Sequence, residues 1–97
     1  MTGVQTCALP ISIVGPSGER LSFQQVDELA ATTWPDAEVP QQLHLDFQVE
    51  DRTDLEVNHQ RALELGAVVR SDQSDDPEEP LRVYADPAGH TFCLFTR

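Results

Sequence analysis

The sequence predicts an α+β fold, and three stretches carry that prediction. Gln42 to Val49 (QLHLDFQV) alternates apolar and polar residues without a break, which is the pattern of a strand with one buried face. Thr53-Asp54-Leu55-Glu56 has the form of a helix capping box, and Gly66 stands where that helix should stop. Asp86-Pro87-Ala88-Gly89 is a turn signal set between two β-favouring runs, Leu81–Ala85 and Thr91–Phe95.

Taken in chain order, the first stretch is anomalous. Residues 1–11 (MTGVQTCALPI) carry no charge and no helical or strand period. They lack the basic start and long apolar core of a secretory signal. They resemble the in-frame translation of a sequencing-library adapter, so they are set aside as a non-native artefact. Ser12–Val14 and Leu21–Val26 favour strands and flank the turn signal Gly15-Pro16-Ser17-Gly18, so residues 12–26 read as a hairpin. Residues 27–41 hold two prolines, several acids and no period, which makes them a linker.

From Gln42 the expected order is β-α-β-β-β. On the first strand Leu43, Leu45, Phe47 and Val49 share one face, and Gln42, His44, Asp46 and Gln48 share the other. The capping box makes Thr53 the expected N-cap, with Glu56 reaching back to its backbone. The helix should run to about Leu65 with Leu55, Ala62 and Leu65 on its buried side, a stripe that Asn58 interrupts. Gly66 suits the left-handed position that closes a helix. Ala67–Ser71 is the next strand, Asp72–Pro80 a solvated acidic loop, and Leu81–Ala85 and Thr91–Phe95 the closing hairpin.

Composition limits the function. The chain has 97 residues, 17 acidic against 6 basic, for a formal net charge of −11. So acidic a surface repels phosphate backbones and anionic lipid, which argues against nucleic acid and membrane as partners. No run approaches the ~18 apolar residues of a membrane span. Two cysteines, Cys7 and Cys93, are too few for a disulfide framework. Cys7 lies in the adapter-like stretch, which leaves no native intrachain disulfide. The expected location is the cytoplasm.

HLDFQVED, a helix ending in ALELGA, and then RVYADPAGHTFCL resemble the vicinal-oxygen-chelate superfamily, in particular its glyoxalase-like and bleomycin-resistance-like branch. The resemblance covers roughly residues 12–97. It implies a pair of βαβββ modules, each a curled half-barrel, enclosing a cup between them. Residues 42–97 would then be the complete second module and residues 12–26 the remnant hairpin of the first. The chain is expected to be an N-terminally truncated fragment with an unpaired strand edge and an uncovered apolar sheet face. Such a fragment is prone to dimerise, and a homodimer is an expected assembly.

In metal-dependent relatives the cup holds a divalent ion through His and Glu side chains on the first and last strand of each module. By that resemblance His44 takes the first-strand position, Cys93 stands where Glu is usual, and Gln24 takes the matching position of the first module. Gln is a weak donor, and Cys binds soft ions only as thiolate. The expectation is therefore no bound metal, unless His44 and residues preceding this chain supply the ligands. Other readings stand beside these. His44 could be a satisfied strand histidine and Cys93 a small buried filler. Gln24 fits a pocket hydrogen bonder. Trp34 could stack a ligand at the cup mouth or cap the core edge. Arg82 and Tyr84 share a strand face; Arg82 could hold a substrate carboxylate or pair with a nearby acid. His59 and His90 read as surface residues. The function expected is binding of a small organic molecule in the cup. The alternatives are a metal-dependent lyase, isomerase or dioxygenase, and an antibiotic-sequestering protein that works by binding alone.

Overall fold

The computed structural model describes residues 11–97. The reading of the first eleven residues as foreign, and with it Cys7, falls outside them except for Ile11. Strand β1 (Ile11–Val14) pairs antiparallel with β2 (Arg20–Phe23) in a separate two-stranded sheet. The predicted hairpin is therefore present, but its second strand stops at Phe23 rather than Val26. The pair Ile11↔Phe23 is the last in the register among the described residues. No helix or strand forms in residues 27–41, in keeping with the linker reading.

The rest of the chain builds one four-stranded sheet with one helix. The elements are β3 (His44–Gln48), α1 (Arg52–Glu64), β4 (Val68–Gln73), β5 (Leu81–Ala85) and β6 (Thr91–Phe95). The strand order is β3-β6-β5-β4. β6 runs parallel to β3 and antiparallel to β5, and β5 runs antiparallel to β4. The α+β prediction and the β-α-β-β-β order are both present. α1 links the two edge strands and so crosses one face of the sheet.

The helix begins differently from its prediction. Asp51, not Thr53, is the N-cap, and its side chain accepts from the Asp54 backbone N–H at 2.8 Å. The Asp54 carboxylate in turn accepts from the Glu50 N–H at 3.1 Å. The reciprocal cap therefore forms two residues early, because an ionised carboxylate is the stronger acceptor for the exposed N–H groups. Glu56, freed from capping, pairs with Arg82 instead. Replacing Asp51 with alanine should cost about 1 kcal/mol of unfolding free energy. Thr53→Ala should cost less than about 0.5 kcal/mol, as a surface change. Urea titrations of both variants decide between the two caps.

The helix ends as predicted. Gly66 has φ +98°, and its N–H donates to the Leu63 carbonyl at 3.1 Å while the Ala67 N–H donates to Ala62 at 3.0 Å. That is the Schellman arrangement, and only glycine enters it without strain. The same turn takes Leu65 off the helical period and leaves it exposed, so the predicted stripe keeps Leu55 and Ala62 but loses Leu65.

The core lies between α1 and the sheet. Leu55, Ala67, Tyr84 and Leu94 are buried together, with Val49, Ala62 and Phe92 packed around them. Tyr84 stacks on Phe92 with ring centroids 5.1 Å apart. β3 alternates as the sequence predicts, but α1 reaches only its Val49 end. Leu43 is 71% exposed and Phe47 47% exposed, although Phe47 meets Phe92 edge-on. β3 is also an edge strand with its outer side unpaired among the described residues. β4 carries a bulge between Val69 and Ser71 and runs two residues past its predicted end, to Gln73. The closing hairpin has its predicted bounds. Its turn is held by the Asp86 carboxylate, which accepts from the Ala88 and His90 N–H groups at 2.9 Å. No helix among the described residues is long and apolar enough to cross a membrane.

Candidate functional site

The parallel pairing of β3 with β6 decides which side chains can meet. In that register Asp46 is the partner of Cys93, and His44 the partner of Thr91. Directly paired residues point to the same side of a sheet. His44, Asp46 and Cys93 therefore share one face, together with Val83 across β5. Phe92, Leu94, Arg82 and Tyr84 share the other, against α1.

On the first face one His44 ring nitrogen, a carboxylate oxygen of Asp46 and the Cys93 sulfur lie within 4.8 Å of one another. His44 is half-buried and doubly held. Its Nδ1 lies 2.7 Å from Gln41 Oε1, and its Nε2 lies 3.3 Å from Asp46 Oδ1. An amide oxygen only accepts, so Nδ1 carries the proton and donates. Trp34 stacks on the imidazole with centroids 4.6 Å apart and planes 19° from parallel. Its ring thus covers His44.

The linker is built to place that indole. The Trp34 N–H donates to Thr32 Oγ1 at 3.0 Å, and that hydroxyl donates to the Val39 carbonyl. The Thr33 N–H donates to the same carbonyl, and the Val39 N–H donates to Thr33 Oγ1 at 2.8 Å. Two threonines thus close the segment into a loop with Trp34 and the cis Trp34-Pro35 bond at its turn.

Cys93 is buried. Burial first, and the Asp46 carboxylate next, push its thiol up to about 12. The thiol is neutral at ordinary pH, which makes it no nucleophile by itself.

Not every candidate residue joins this group. Gln24 lies just past the end of β2, exposed, and no hydrogen bond joins it to His44, Asp46 or Cys93 among the described residues. Arg82 and Tyr84 do share a strand face, but it is the helix face, opposite His44. Arg82 is 6% exposed and pairs with acids. Its Nη2 donates to Glu56 Oε1 at 2.7 Å and its Nε to Asp72 Oδ2 at 3.1 Å. Burial alone would lower its pKa, but the two carboxylates outweigh that and raise it. The Tyr84 hydroxyl meets His59 Nδ1 at 2.8 Å, so His59 is half-buried at the helix–sheet seam rather than a surface residue. His90 is exposed. Asp46 is the residue that sequence reasoning passed over as a donor. Its signal was present, since it lies two residues from His44 on the same strand face.

Two clefts among the described residues lie elsewhere. One of about 300 Å³ opens on the helix face between the end of α1 and the β5–β6 turn, lined by Asn58, Arg61, Leu65, Pro87 and Phe92 among others. Another of about 380 Å³ lies beside Gln48 and Asp54. Neither contains His44. Position on the sheet and donor chemistry, not cavity volume, mark the His44 face as the functional candidate.

The comparisons with known proteins agree with this architecture. A family model described as "Glyoxalase-like domain" matches residues 8–95. No curated protein matches the chain. Among solved structures, the chain is similar to a glyoxylase/bleomycin resistance protein/dioxygenase domain from Frankia sp. EAN1pec, with a TM-score of 0.57 and 24% identity. That likeness, one of fold, covers 88% of this chain and 62% of that one, so the chain spans less than two thirds of its neighbour's length.

Proposed function

This chain belongs to the glyoxalase-like domain family, and from that premise we propose that it supplies the His44-bearing wall of a cup that binds a small organic molecule. The observation that carries the reading is the convergence of His44, Asp46 and Cys93 on one sheet face, with Trp34 stacked over His44. An aromatic plane beside a few fixed polar groups is the usual make-up of a small-molecule site. The indole and imidazole offer stacking area, and the Asp46 carboxylate offers an acceptor. A face with so few polar groups binds by shape and orientation.

Trp34 is the only tryptophan, so it reports on its own site. A ligand that enters beside His44 should change the indole emission saturably. His44→Ala should weaken that binding by at least about tenfold, the loss of one good polar or stacking contact. Because His44 lies outside the core cluster, its thermal melt should stay close to the parent's. Compounds from a small-molecule library that saturate equally well in the parent, in His44→Ala and in Asp46→Asn would sink the reading.

A further inference from the structure

The contacts that His44 could offer a ligand are largely taken by its own chain. Its Nδ1 is held by Gln41 Oε1 at 2.7 Å, and its Nε2 faces Asp46 Oδ1 at 3.3 Å. One face of the ring lies under the Trp34 indole, with centroids 4.6 Å apart. Two of these three partners, Trp34 and Gln41, come from the segment between β2 and β3. A small molecule that uses Nδ1 or the covered face of His44 must displace part of that segment.

The segment is built so that it can leave in one piece. Every hydrogen bond that residues 32–39 make among the described residues is internal to them. The Thr32 and Thr33 hydroxyls and the Thr33 N–H reach Val39, the Val39 N–H returns to Thr33, and the Asp36 N–H donates to the Thr33 carbonyl at 2.9 Å. None of these bonds reaches the sheet. Pro35 to Pro40 are all exposed. The loop is tied down at three points. Trp34 stacks on His44, and Gln41 bonds the same ring. Ahead of the loop, Ala31 passes close to the β5–β6 turn, where a Cβ on Gly89 would meet the Ala31 Cβ at 3.4 Å. Swinging the loop off His44 breaks the stack and leaves the internal bonds closed. Exposed segments with few ties to the core are the first to open.

We propose that residues 32–39 form a strap that regulates access to His44. In the closed state, seen here, the Trp34 indole occupies the place where a ligand would stack on the imidazole. In the open state the strap swings about Ala31 and Gln41 with its threonine bracket intact, and the face of His44 is bare. The chain thus inhibits its own site, and whatever binds there competes with Trp34. The purpose of the strap rests on the reading of this face as a cup wall; the motion itself needs no ligand.

The test is modification of the full chain by diethyl pyrocarbonate, a small electrophile that acylates accessible imidazole nitrogens. Peptide mass spectrometry resolves the three histidines. His90 is exposed and sets the unhindered rate. His59, bonded to Tyr84 at the helix–sheet seam, reports on the fold. In the parent, His44 should react at least about tenfold more slowly than His90, because it is reached only through local opening. Trp34→Ala should remove most of that difference and leave the His59 rate unchanged. Trp34→Phe, which keeps a ring to stack, should restore most of the protection. The Val39 N–H, held by Thr33 Oγ1, should resist hydrogen exchange over the time in which His44 is modified. The proposal is overturned if His44 reacts as fast as His90 in the parent, or at one rate in the parent and Trp34→Ala. Val39 exchange that keeps pace with His44 modification also overturns it, since the loop then melts instead of swinging. If His59 accelerates along with His44, Trp34→Ala has lost the fold and Thr33→Val takes its place. That variant loosens the bracket but keeps the indole, and it should raise the His44 rate alone; an unmoved rate there sinks the strap. No readout uses an organic ligand, so saturable Trp34 emission still judges the cup-wall reading separately.

Discussion

Replacing Tyr84 with alanine is expected to cost about 3–5 kcal/mol and to lower the urea midpoint of unfolding by more than half. Tyr84 is fully buried and belongs to the core cluster with Leu55 of α1, Ala67 and Leu94 of β6. Its ring stacks on Phe92, and its hydroxyl is bonded to His59. A chain of this length has a total stability of about 5–15 kcal/mol. The small buried cluster places this protein toward the lower end of that range, so the lost contacts and the cavity together remove most of it. Tyr84→Phe keeps the ring and gives up only the hydrogen bond, for about 1 kcal/mol. A Tyr84→Ala midpoint within a quarter of the parent's would show that the core lies elsewhere.

The second large effect concerns Arg82. Its guanidinium is nearly buried, yet it faces two carboxylates that are each about half exposed. Removing both, in Glu56→Gln with Asp72→Asn, strands a buried cation and should cost about 3–5 kcal/mol. Adding Arg82→Met to that pair should restore most of the loss, since a well-packed apolar side chain often replaces a buried ion group at little cost. If the triple variant is no more stable than the double, the guanidinium has an escape to solvent and the argument fails. The network also has a pH signature. Ser74, through its hydroxyl and then its N–H, and Arg82 hold the Asp72 carboxyl down at about 2. In the unfolded chain the group titrates near ~4. The stabilisation from its charge is therefore complete above about pH 4 and disappears as pH falls through about 2. Asp72→Asn should be most harmful at neutral pH, and its stability should converge with the parent's between pH 4 and 2.

What could be read in the sequence was what local chemistry decides. The β5–β6 hairpin appears with its predicted bounds because Asp86 and Gly89 determine the turn without outside help. The Gly66 stop held for the same reason. The N-cap differs from the expected one because Asp51 and Thr53 can both accept the exposed N–H groups, and the charged Asp51 carboxylate is the stronger acceptor. Leu65 was counted into the helical stripe because the Schellman turn lies within one residue of it. The site divides along the same line. His44 and Asp46 lie on one strand, so their shared face was legible from period 2 alone. Whether Cys93 joins them, and whether Arg82 and Tyr84 do, depends on how β3 pairs with β6 and β6 with β5. A one-residue shift in the first pairing would have put Arg82 and Tyr84 beside His44 instead.

The place of β6 in the sheet also sets an order of events during synthesis. β6 is the last strand in the sequence but occupies an interior position, between β3 and β5. A ribosome therefore releases β3 and α1 well before it makes the strand that holds β3 in place. Until Thr91–Phe95 has emerged, β4 and β5 can pair, but β3 has no described backbone partner, and Phe47 lacks the Phe92 ring it meets in the finished fold. Joining Asp46 to Cys93 closes a loop of about 47 residues, a contact that must wait for a late segment and then be found across a long stretch of chain. The nascent chain passes through an interval in which β3 is finished but its backbone is unpaired. That interval is when a holding chaperone would have the most to bind.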